Sequence, residues 1–143
     1  MKKLLYSFLI LSSATLFAQS SAVKFAVADN AIGTVDMFNA RKSVMQVLKV
    51  YNSAASLPQN LKKYSSVFTK GVTEYKFKNG QNVLDRISLA DLNAQHNIPG
   101  DTPVFIEGHE FTDTSTLVYG ELLAKVESKD HNGKKTLFIS ASR

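Results

Sequence analysis

Apolar and polar positions alternate most clearly at the C-terminal end. There, Thr102 to Ser142 holds three apolar runs, each of strand length, separated by polar or glycine-bearing segments. Pro103–Phe111, Leu117–Glu127 and Thr136–Ala141 read as strands, with polar turns at Thr112–Thr116 and Asp130–Lys134, although Tyr119–Ala124 could equally form a helical turn. Upstream the period lengthens. Met37, Phe38, Val44, Met45, Leu48 and Tyr51 fall near one helical face, with Arg41, Lys42, Gln46 and Lys49 mostly opposite, which predicts an amphipathic helix over 36–51 capped by Thr34 or Asp36. A shorter helix follows from Leu57-Pro58, with Leu61, Tyr64 and Val67 or Phe68 inward, and Gly71 stops it. Val72–Lys78 alternates as a strand, and Asn79-Gly80 predicts a hairpin returning through Gln81–Ile87. Ser88-Leu89-Ala90-Asp91 has the form of a capping box opening a helix to about His96. Val23–Ala28 reads as a first strand and Asp29–Gly33 as a turn. The expected fold class is therefore α+β: a small, mostly antiparallel sheet packed by an N-terminal amphipathic helix and one or two short helices.

The first residues change the picture of where this domain works. Met1-Lys2-Lys3 is a basic start, Leu4–Leu11 is apolar, and Ser12–Ala18 is small and weakly apolar, with Ala18 before Gln19 as the expected cleavage point. That order is the pattern of an export signal, so residues 1–18 are expected to be removed and 19–143 to form a single domain, exported to the periplasm or secreted. No other apolar run is long enough to anchor the remaining chain in a membrane, which takes about 20 residues. Cysteine is absent, so stability must come from packing without disulfides.

Net charge is +5, but its distribution says more than its sum. Nine Lys or Arg lie between Arg41 and Arg86 against only Glu74 and Asp85, whereas from Ile87 onward acidic residues outnumber basic ones. A basic middle offers a surface to an anionic partner, and Lys62, Lys63, Lys76 and Lys78 are its candidate binding residues. Nucleic acid is not the expected partner: the segment is exported, and Tyr64, Tyr75 and Phe77, which would have to stack on bases, occupy core positions of the pattern.

Candidate chemistry is sparse. Glu107, His109 and Glu110 are the one tight cluster of possible ligands or acid–base groups. On a strand Glu107 and His109 project to the same side, so a carboxylate and an imidazole could hold two positions of a divalent metal, with a third ligand from His96, Asp113 or His131. No HExxH helix, Gly-x-Ser-x-Gly elbow or glycine-rich phosphate loop is present, and no cofactor is called for.

Pro103-Val104-Phe105-Ile106-Glu107-Gly108 resembles the "P-L-Y-V-I-D-G" strand of TonB-dependent receptor plug domains. Leu117–Lys129 is similar to the following "D-I-E-S-I-E-V-L-K" segment, and Asn132-Gly133 with Leu137–Ser140 to the closing "N-G-V-I-L-I-T-T". The small-residue "A-T-A-L-Y-G" insertion is missing, and Glu121–Lys129 runs almost directly into the last turn. The resemblance implies a free-standing plug-like α+β module with no transport pore of its own. Its matched positions are scaffold, so it assigns no functional residues.

The sequence thus favours an exported, non-catalytic module that binds an envelope protein or an extracellular polymer, then a structural part of an envelope assembly. A small metal-binding protein or metal-dependent hydrolase using Glu107 and His109 is the remaining alternative.

Overall fold

The computed structural model describes residues 23–80 and 84–141. The expected signal segment, 1–18, lies outside the described residues. Strands dominate, and they form two mixed sheets rather than one small antiparallel sheet packed by helices. The expected fold class is corrected on that point.

β1 (Phe25–Ala28) and β2 (Ala31–Thr34) form a hairpin through Asp29 and Asn30, both at positive φ (52° and 62°). Aspartate and asparagine tolerate this left-handed conformation, so two residues suffice where a longer turn was expected over 29–33. The helix expected over 36–51 is only α1, Val35–Asn39, followed by a turn and then by β3, Met45–Tyr51. Thr34 caps α1 as expected, its hydroxyl accepting from the Met37 N–H at 3.1 Å. The helical spacing is broken because Val44, Val47, Val50 and Tyr51 favour extended backbone. A helix through them would also have buried Leu48, which is exposed.

After β3 the chain forms 3-10 turns at Ala54–Ser56 and Gln59–Tyr64 in place of the second helix. Leu61, Tyr64 and Phe68 face inward as expected. β4 (Val72–Phe77) pairs antiparallel with β3 and parallel with β1. The hairpin expected at Asn79-Gly80 does not form: β5 (Arg86–Ser88) pairs with β8 (Leu117–Tyr119) instead of returning along β4. α2 (Leu89–Gln95) starts at Ser88, whose hydroxyl accepts from the Asp91 N–H.

The single strand expected over 103–111 is instead a second tight hairpin, β6 (Val104–Ile106) and β7 (His109–Phe111), because Glu107 and Gly108 turn the chain at positive φ; β9 (Lys125–His131) and β10 (Lys134–Ser140) form a third, turning on Asn132-Gly133 as expected. The strand expected over 117–127 is split by a 3-10 turn at Gly120–Leu122, so β8 joins one sheet and β9 the other. The six-stranded sheet runs β3-β4-β1-β2-β8-β5 and the four-stranded sheet β7-β6-β10-β9. The first carries parallel pairs at β4–β1 and β2–β8, the second at β6–β10.

Strand alternation gives the larger sheet two buried faces. Val27, Ile32, Val72 and Val118 point into the main core, which they share with Val104, Ile106, Leu137 and Ile139 of the smaller sheet and with Leu61, Leu89 and Leu92. Ala26, Ala28, Ala31, Tyr75, Phe77 and Tyr119 point the other way, where Met37 and Phe38 of α1 cover them. Tyr64, Tyr75 and Phe77 are all core residues.

Candidate functional site: an apolar open edge

Four strands end the two sheets, and three of them are blunted. β5 and β7 have three residues each. β9 is long but charged, with Glu127 held by Lys125 at 3.0 Å and Lys129 at 3.1 Å. Shortness and charge are the usual protections of a sheet edge against another strand. β3 is seven residues long, and its outer edge pairs with no described strand. Val47, Leu48 and Val50 are each 52 % exposed along it, and they are the exposed large apolar residues of the described chain.

Register sorts the β3 side chains by face. Met45, Val47 and Val50 stand opposite Phe77, Tyr75 and Thr73, on the side of the sheet that α1 covers elsewhere. Gln46, Lys49 and Tyr51 stand opposite Lys76, Glu74 and Val72 on the other side. The register slips between Val47 and Lys49, so Leu48 is the extra residue of a bulge. The Tyr51 hydroxyl donates to Glu74 at 2.9 Å, and Lys49 Nζ lies 5.4 Å from the Tyr51 ring centroid. Burial, and then the Glu74 carboxylate accepting from it, push the Tyr51 phenol up from its ordinary value. The edge therefore presents apolar side chains on one face and lysines on the other. Its unpaired backbone groups can accept a further strand.

The four candidate lysines fall in two places. Lys76 is the last residue but one of β4, opposite Gln46 of the open edge, and Lys78 directly follows the strand, donating from Nζ to the Lys42 carbonyl at 2.8 Å. Lys62 and Lys63 sit on the 3-10 segment Gln59–Tyr64, where Lys63 is ion-paired with Asp113 at 2.8 Å. Asp113 also accepts from the Ser115 backbone N–H at 3.0 Å and from its hydroxyl. The Lys63 ammonium first, then the Ser115 hydroxyl, hold the Asp113 carboxyl down to about 2 from 3.8. A carboxyl depressed by the fold stabilises it above the unfolded pKa and loses that contribution as pH falls through the folded value. Asp113→Asn is accordingly expected to be less stable than the parent near pH 6, with most of that difference gone near pH 2, in urea titrations at the two pH values. The same pair raises the Lys63 ammonium, so its contribution also fades on the alkaline side.

Glu107 and His109 do not share a strand face. Glu107 (φ 52°) and Gly108 (φ 80°) are the two turn residues between β6 and β7, and His109 is the residue that pairs with Ile106. Glu107 is buried, and its Oε1 accepts from the Ala141 N–H at 2.6 Å and the Ser140 hydroxyl at 3.3 Å, tying the turn to the end of β10. Its Oε2 has no hydrogen-bond partner among the described residues. The His109 ring packs edge-on to Phe25 at 5.8 Å. Among the described residues no three His, Asp or Glu side chains are grouped as metal ligands.

Sequence reasoning missed Val47, Leu48 and Val50 as surface residues because the helical reading buried or ignored them. The available signal was the density of β-branched and aromatic residues over 44–51.

No family model, curated protein or solved structure matches the chain. Among the described residues no helix is long and apolar enough to cross a membrane.

Proposed function

We propose that this chain is an exported, non-catalytic protein-binding module of the cell envelope, and that its partner docks as an added strand along β3. The carrying observation is the contrast between edges: β9 is charged and β5 and β7 are short, while β3 is long, unpaired and exposes Val47, Leu48 and Val50. An added strand satisfies the backbone groups of an open edge and covers its apolar side chains together. The plug-like reading is compatible with this role. The segments that carry the resemblance supply β8 of the six-stranded sheet and β6, β10 and β9 of the four-stranded one, and none of them pairs with β3.

The test compares the tagged full chain, recovered from its own cells, with its Val47→Lys and Val50→Lys variants in capture from detergent-solubilised envelope. Both positions are half exposed on an edge, so the variants are expected to fold with stability within about 0.5 kcal/mol of the parent. A dominant envelope protein held by the parent and lost by both variants is the expected outcome. A captured set that neither substitution changes contradicts the reading.

A further inference from the structure

We infer that the strand accepted by β3 is acidic on one face and apolar on the other: a segment of another protein in which carboxylate and aliphatic side chains alternate. The inference rests on the docking reading above and adds the chemistry of its partner. A strand laid outside β3 continues the pleat, so its side chains alternate between the two faces already defined. On one face its nearest neighbours are Val47 and Val50, which aliphatic side chains would cover. On the other they are Gln46 and Lys49, with Lys76 one strand further in. Glu74 is the acidic residue there: it stands opposite Lys49 and accepts the Tyr51 hydroxyl, and against Lys49 and Lys76 it leaves this face with a net positive charge. Beyond the Met45 end, Lys42 and Lys78 are held close by the Lys78 Nζ contact to the Lys42 carbonyl. Lys42, Lys49, Lys76 and Lys78 are all exposed. Cross-strand pairs of opposite charge stabilise a sheet and like pairs oppose it, so this edge selects carboxylates on its lysine face.

The same charges disfavour a second copy of this chain. Antiparallel pairing of β3 with itself about a dyad normal to the sheet would bring the Lys49 and Lys76 side chains of both copies onto one face. A lipid surface would meet the lysines but would leave the backbone donors and acceptors of the edge unpaired.

The experiment titrates the full chain with end-blocked peptides of about seven residues, a strand's length. They alternate valine with glutamate, with glutamine or with lysine. The glutamate peptide is expected to bind, the glutamine peptide about tenfold more weakly, since two or three exposed charge pairs contribute about that much at low salt. The lysine peptide is expected to bind weakest. Lys49→Glu combined with Lys76→Glu should reverse the order of the glutamate and lysine peptides, and Val47→Lys or Val50→Lys should weaken all three. Equal binding of the glutamate and glutamine peptides, both still lost in Val47→Lys, overturns the acidic specificity and leaves strand docking standing. Peptide binding that neither valine substitution affects, or no peptide binding at all, overturns both. A concentration-dependent dimer that Val47→Lys dissolves overturns the inference in favour of self-pairing.

Discussion

Gly71→Ala is expected to lower stability by about 4 kcal/mol, the largest effect of any single methyl group added to this chain. Gly71 sits at φ +90°, where the chain leaves the 3-10 region and enters β4. A Cβ built there would overlap the Tyr51 carbonyl and lie 2.8 Å from the Ser53 backbone nitrogen. Both are main-chain groups at the exit of β3, so no side chain can swing aside to make room. Two costs therefore combine: left-handed backbone for a residue with a Cβ, and a steric overlap that only movement of β3 can relieve. Gly133→Ala separates them. Gly133 also has positive φ (80°), with nothing within 4 Å of its Cβ position. Its substitution should cost about 1 kcal/mol. Urea unfolding of the two variants measures the difference, and equal losses would show that β3 is not held against Gly71 as described.

Phe38→Ala is expected to cost about 4 kcal/mol, in the range of large aromatic truncations in a core. α1 has five residues, far fewer than an isolated helix needs to persist in water. It stays because Met37 and Phe38 enter a pit floored by Ala26, Ala28, Ala31 and Gly33. Those small residues are what let the ring approach: a Cβ on Gly33 would come within 2.7 Å of Phe38 Cζ. The ring also meets Tyr75 at 5.0 Å and Tyr119 edge-on at 5.5 Å, while the Tyr119 hydroxyl donates to the Ala28 carbonyl at 2.7 Å. Removing Phe38 leaves these partners around a cavity that three alanines and a glycine cannot fill. Denaturant titration, read beside the exposed-edge variant Val47→Ala (expected within about 0.5 kcal/mol), checks this. A Phe38→Ala loss no larger than that of Val47→Ala would contradict the packing described for this face.

What the sequence revealed followed from short-range rules. The turn at Asn132-Gly133, the cap at Ser88, the Thr34 cap and the strands around Val104–Ile106, Leu137–Ile139 and Tyr75–Phe77 depend on neighbouring residues alone, and they stand where expected. What it concealed was decided by distant partners. Asn79 does adopt positive φ (61°), yet β5 finds β8 rather than β4, a pairing between segments about thirty residues apart that no local signal encodes. The parallel pairs β4–β1, β2–β8 and β6–β10 are likewise long-range, and they turn the expected antiparallel sheet into two mixed ones. At 36–51 two periods overlapped. Met37 and Phe38 are spaced for a helix and are helical, but Met45 and Tyr51 are buried from the two ends of a strand whose middle is exposed. The open edge was therefore hidden inside a predicted helix. Lys76 and Lys78, chosen for charge alone, lie beside it, whereas Lys62 and Lys63 belong to a separate segment that Asp113 ties down.

Backbone hydrogen exchange over Met45–Tyr51, in the free chain and with the envelope protein that the valine variants fail to capture, tests the strand-docking account most directly. Docking along β3 predicts that outer-edge amides from Val47 onward exchange fast in the free chain and become protected on binding, while those already paired with β4, and Met45, whose N–H donates to the Arg41 carbonyl, change little. Protection that appears elsewhere, for example on β9, with the β3 amides unchanged would contradict it.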